Sequence, residues 1–244
     1  AGTGLAALSD AGDDTDATRL AAAWVQHAQA LNAARRGRLQ DAIRESLAGL
    51  ATLQPLQAQG ELSRSAQGAE GMLLGTLAYA QLRTNQVDAA VASLTRALAL
   101  AEALGAKDLS QRRATSGYIA GAALLAEARL AQGQPDAARR ALDEGTAVAD
   151  RLLKVSPGHR PALTARATML GAYADMDSGQ LRMAPALAGY GLALQAQERL
   201  AALTEGGGGT RNNLRVARLS IARVLIDQGR IEDSAAEWQA ATQV

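Results

Sequence analysis

The sequence contains no cysteine and no phenylalanine. Without cysteine there can be no disulfide, no thiolate metal site and no cysteine nucleophile, and the chain suits a reducing or an oxidising compartment equally. Aromatic residues are reduced to two Trp and four Tyr, a poor supply for a β-sheet, which favours aromatic and β-branched side chains. Lysine is nearly missing: only Lys107 and Lys154 occur, so the positive charge is almost all arginine. The formal net charge is +1, and no field of the whole chain recruits nucleic acid or an anionic membrane. The longest apolar run, Ile119 to Ala126, falls far short of the ~20 residues that span a bilayer.

Signatures of chemistry are also missing. No glycine-rich loop leads into Lys and Ser/Thr, no kinase catalytic motif is present, and no serine sits in a nucleophile elbow. His27 and His159 are far apart and form no helical metal pair. No catalytic residue, metal site or cofactor is expected. Asp175 and Asp177 bracket a turn, as polar residues that end a helix do. The chain starts at Ala1 rather than Met, so it reads as a processed protein or an excised domain, a reading open to the removal of a signal or anchor.

What is abundant is alanine, about a quarter of the chain, the residue with the highest helix propensity. Residues 1–17 hold Gly, Ser and four Asp with no helical period and read as a flexible lead-in or linker, although Asp13, Asp14 and Asp16 could cap a first helix. Residues 18–244 form one helical domain of long helices and short turns. Within it, five segments share one shape: RRGRLQDA, RTNQVDAA, AQGQPDAA, DSGQLRMA and DQGRIEDS. Each carries a residue suited to closing a helix: Gly37, Asn85, Gly133, Gly179 and Gly229. Seven before it stand Ala30, Ala78, Ala126, Ala172 and Ala222. Five after it stand Ala42, Ala90, Ala138, Ala184 and Ser234, and twelve after it Gly49, Ala97, Gly145, Gly191 and Ala241. Two after it stand the apolar Leu39, Val87, Pro135, Leu181 and Ile231. Small residues are needed where helices cross closely, and an apolar residue plugs each turn. Other glycines are expected mostly near turns or helix ends; Gly206 to Gly209 reads as a flexible connector, native or engineered.

These columns resemble the tetratricopeptide (TPR) signature of small residues around a glycine-containing turn. The resemblance implies an all-α, right-handed α-solenoid of about five helix-turn-helix repeats. The period departs from the family's 34 residues: here it is about 48, with about ten helices near 20 residues each. The resemblance further implies a concave groove lined by the first helix of each pair. Its columns carry Trp24, His27, Tyr79, Arg83, Glu127, Arg166, Met169, Tyr173 and Arg223, together with Leu31, Arg35 and Met72. Three of the six aromatics fall there, and Trp, Tyr and Arg dominate interface hot spots. The last groove column runs Arg35, Arg83, Ala131, Asp177, Asp227, basic at one end and acidic at the other.

The stretch Gln197 to Ala241, with its ERLAAL, QGR and AEWQAA phrases, is similar to the long-period TPR arrays that follow the kinase domain of some bacterial Ser/Thr protein kinases. That resemblance implies a sensor or interaction region of a signalling protein, with a periplasmic or extracytoplasmic location favoured over a cytoplasmic one. The expected function is protein or peptide binding in the groove. The alternatives are sensing of a small molecule, including a cationic ligand beside Tyr79, Tyr173 and Glu127, and a structural scaffold. No nucleic acid and no membrane span in this segment are expected. Weak self-association through the C-terminal helix is expected, with Ile231, Trp238 and Ala241 packing back on Ala222 and Leu225.

Overall fold

A computed structural model of the chain describes residues 15–58, 62–204 and 208–244. Among these residues there are ten α-helices and no strand. They are α1 (Asp16–Arg35), α2 (Leu39–Ala58), α3 (Arg64–Arg83), α4 (Val87–Ala103), α5 (Arg112–Ala131), α6 (Pro135–Val155), α7 (Arg160–Gly179), α8 (Met183–Thr204), α9 (Gly208–Asp227) and α10 (Ile231–Thr242). Asp13 and Asp14, and the Gly206–Gly207 half of the tetraglycine, lie outside the described residues; Gly208 opens α9. The cap of α1 is Thr15, whose hydroxyl accepts from the Thr18 N–H, and Asp16 stands in the first turn. That places negative charge at the positive end of the helix dipole. None of the helices of the described residues is long and apolar enough to cross a membrane.

The chain divides into two compact units, Ala1–Gln132 and Gly133–Val244. In the first, each helix from α1 to α5 packs on the next, and α3 also packs on α1 and α5. Its core is thin and assembled from alanine and leucine: Ala23, Leu53, Ala69 and Leu73 under α1–α3, and Ala78, Ala90 and Leu94 under α3–α4. Close crossings depend on glycine. A Cβ at Gly49 would stand 2.7 Å from a Leu73 methyl, and one at Gly121 3.1 Å from Leu98. In the second unit, α6 to α10 pack in succession around Ala174, Ala186, Tyr190, Leu214, Ile221 and Val224.

Odd-numbered helices begin at residues 16, 64, 112, 160 and 208, and even-numbered ones at 39, 87, 135, 183 and 231, a constant step of 48 in both series. Between them the left-handed residue that turns the chain is Gly37, Asn85, Gly133, Leu181 or Gly229. Four of these are the turn residues expected from the sequence. The fourth is not: Gly179 is the last residue of α7, and the left-handed conformation falls on Leu181, φ 58°. The small columns shift with it. Ala174 and Ala186 are fully buried, as are Ala30, Ala78, Ala126, Ala222, Ala42, Ala90 and Ala138, whereas Ala172 is half-buried and Ala184 exposed. Asp177 therefore leaves the column of Arg35 and Arg83; it is bound instead by Arg139 and Arg182.

A leucine in the left-handed region costs about 1–2 kcal/mol, which asparagine largely avoids. The Leu181 side chain is 80% exposed and packs on little. Leu181→Asn should raise stability by about 0.5–1 kcal/mol in a denaturant titration; a loss would place the turn at Gly179.

The last helix also departs from expectation. Ala241 and Ser234 are buried, the Ser234 hydroxyl donating to the Ala222 carbonyl, but Ile231 and Trp238 are exposed. Small residues make the buried contact with α9, Glu237 adds an ion pair to Arg218 at 3.0 Å, and Ile231 and Trp238 are left on the outside.

Candidate functional site

Three helices of the first unit, α1, α3 and α5, together with α4, frame a cavity of about 560 Å³. Trp24, Leu31 and Arg35 come from α1, Met72 and Tyr79 from α3, Leu104 and Gln111 from the connection of α4 to α5, and Leu124 from α5. The space exists because side chains are missing. Gly68, Gly71 and Gly75 follow one face of α3, and Ala114, Gly117, Ala120 and Gly121 line the wall formed by α5. A Cβ built at Gly68, Gly75 or Gly117 would meet nothing within 4 Å. Helix packing therefore does not require glycine at these three positions, although mid-helix glycine costs roughly 0.5–1 kcal/mol relative to alanine.

Among the described residues, charge on the lining has one sign: Arg35, Arg64 and Arg113 border the cavity, and no Asp or Glu lines it. Arg64 and Arg113 stand in the first turns of α3 and α5, which contain no acidic residue, so both sit at the positive ends of helix dipoles, where carboxylates are the usual choice. The Arg113 guanidinium lies 5.4 Å from the Trp24 ring centroid, within cation–π range. Arg64 reaches the Leu104 carbonyl at 3.4 Å. Asp108, in the following loop, is held below the usual carboxylate range by hydrogen bonds from Ser110 and, to a smaller extent, by the charge of Arg64.

Trp24, Leu31, Arg35, Met72 and Tyr79, five of the groove residues singled out by sequence, line the cavity. His27 stands beside it, buried edge-on against Trp24 at 6.0 Å between ring centroids. Burial, then the charge of Arg113, lowers its pKa. Arg83 covers Tyr79, 5.2 Å from the ring centroid, and binds both carboxylate oxygens of Glu127. Glu127 is thus ion-paired within its own chain, and both side chains remain exposed. No family model matches the chain, and no curated protein matches it.

Arg166, Met169, Tyr173 and Arg223 belong to the second unit. Met169 is fully buried and accepts a contact from the Thr146 hydroxyl, so it is part of the core. Arg166 pairs with Asp150. The Tyr173 hydroxyl donates to Asp143, and burial followed by that bond raises its pKa. Arg223 is exposed. Among the described residues, no group of three or more His, Asp or Glu is placed to hold a metal ion.

Arg64, Arg113 and the open glycines escaped the reading of the sequence. For the glycines of α3 a signal was present: Gly68, Gly71 and Gly75 fall on one face of a single helix.

Proposed function

We propose that the chain is a non-catalytic binding module built of TPR-like helix pairs on a 48-residue repeat, and that the cavity of its first unit is the ligand site. The constant step of helix starts and turn residues supports the repeat. The observation that carries the binding reading is the apolar cavity itself, whose volume falls within the range of small-molecule sites. A largely apolar enclosure with few polar groups favours a small ligand over a peptide, whose backbone would need many partners. In this reading the chain is a sensor, and the similarity of its C-terminal stretch to kinase-associated arrays supports a place in a signalling protein.

The test is a thermal-shift screen of small metabolites and short peptides against the wild type and a Gly75→Leu/Gly117→Leu variant. Both substitutions enter open space and should leave the helical circular dichroism intact. Small-molecule hits that vanish in the variant support the reading. Hits confined to peptides, or hits that persist with the cavity filled, overturn it.

A further inference from the structure

The chemistry of the lining narrows the ligand. The cavity extends along α3 from Arg64 to Tyr79, fifteen residues apart, or about 22 Å at the rise of an α-helix. Such a trough suits an elongated body, and the open glycines let that body lie directly on the helix backbone. Apart from the arginines, the polar side chains of the lining among the described residues are Ser65, Gln67, Thr76, Tyr79 and Gln111. Gln67 donates its amide to the Leu62 carbonyl and Thr76 its hydroxyl to the Met72 carbonyl. A sugar or a peptide backbone would bury more polar groups than the rest could satisfy, and each unsatisfied one is costly. A cation would meet three arginines and, among the described lining residues, no carboxylate; Asp108 acts on Arg64 from the loop outside the lining.

We propose that the cavity binds an amphipathic carboxylate, its apolar chain laid along the glycine face of α3 between Trp24 and Tyr79 and its carboxylate held by Arg64 and Arg113. This rests on the cavity being the ligand site. Arginine at these positions runs against the dipoles of α3 and α5, and an anionic head at the same end removes the conflict. The planar guanidinium is the group best shaped for a carboxylate. Methylenes buried in the trough supply affinity, roughly fourfold in Kd for each one added.

The chain reports on this site, because Trp24 and Trp238 are its only tryptophans and Trp238 is exposed in the other unit. In a Trp238→Phe protein, Trp24 is the sole indole. Its fluorescence should saturate with decanoate below micelle-forming concentrations, and Kd should fall from octanoate to decanoate to dodecanoate. Decanol and decyltrimethylammonium should bind at least tenfold more weakly. Calorimetry on Arg64→Gln/Arg113→Gln should show a tenfold or greater loss for decanoate and little change for decanol. Gly75→Leu/Gly117→Leu should abolish the saturable signal while circular dichroism stays helical. Equal affinity for the three decyl compounds would overturn the anionic head and leave the cavity as the binding site. A larger loss from Arg35→Gln than from the Arg64/Arg113 pair would overturn the placement of the head. No saturable signal from any of the three would overturn the amphiphile, while the metabolite screen still decides whether the cavity binds ligands at all. Decanoate binding that survives the leucines would overturn both.

Discussion

Ala174→Leu is expected to destabilise the second unit strongly, by about 3 kcal/mol, the upper end of the usual overpacking range. Ala174 is fully buried on α7 where α8 crosses it. The approach is so close that α8 presents a glycine. A Cβ on Gly189 would come to 3.0 Å from the Ala174 Cβ and 3.5 Å from both the Ala174 Cα and the Leu170 carbonyl oxygen. Two of those three neighbours are backbone atoms, which cannot rotate away. Three additional carbons on Ala174 would therefore have to separate the helices, and with them Ala186, Tyr190 and Val224, which share the same cluster. Gly189→Ala should cost less but should be measurable in the same denaturant titration. The decisive control is Ala172→Leu. The DSGQLRMA phrase places Ala172 in the crossing column, whereas the structure leaves it half-buried. Leucine there should cost under about 1 kcal/mol, as substitutions away from a tight contact do. If Ala172→Leu proved damaging and Ala174→Leu neutral, the turn after α7 would lie at Gly179 and the step of helix starts would not be constant.

That two-residue error shows where sequence stops reporting structure. Gly37, Asn85, Gly133 and Gly229 were readable because glycine and asparagine are the residues that enter the left-handed region cheaply. At the fourth turn a glycine lies two residues before the place where it would be useful, at the last position of α7, and a leucine takes the strained conformation. No rule of propensity would choose Leu181 over Gly179. What identifies it is the neighbouring burial, since Ala174 and Ala186 are shielded and Ala172 and Ala184 are not. Burial is a tertiary property, and in a chain with this much alanine an adjacent alanine is always available to complete a wrong column. The helices themselves were legible for the same compositional reason that their register was not.

The site was legible in part. Trp24 and Tyr79 stand out as rare aromatics in groove columns, and both line the cavity. Its walls were not foreseen, because they consist of absent side chains, and the significance of an absent side chain depends on what stands opposite. Gly49, Gly121 and Gly189 make room for a neighbouring helix, while Gly68, Gly75 and Gly117 face open space. In sequence the two kinds look the same. Nor could the sequence show that Arg83 pairs with Glu127, forty-four residues away, while covering the ring of Tyr79.

The open glycines lead to a result in which stability and binding move in opposite directions. Gly68→Ala, Gly75→Ala and Gly117→Ala each replace the poorest non-proline helix former with the best, in regular helix and with no atom in the way. Each should stabilise by about 0.5–1 kcal/mol through helix propensity and a less flexible unfolded chain. The three positions lie on α3 and α5 and share no close contact through the missing Cβ, so the increments should add. A triple variant should gain roughly 2 kcal/mol in chemical denaturation. The same three methyl groups project into the cavity, where they lift a ligand off the backbone it would lie against. Affinity should fall as stability rises, the trade-off expected where a protein keeps a destabilising residue for its function. Gly71 supplies the internal comparison: its Cβ would make ordinary contact with Leu100 at 3.9 Å, so Gly71→Ala should stabilise with less effect on binding. A triple variant no more stable than wild type would mean that these glycines serve the packing of the helices after all. One that is more stable and binds as tightly would mean that the ligand does not touch them.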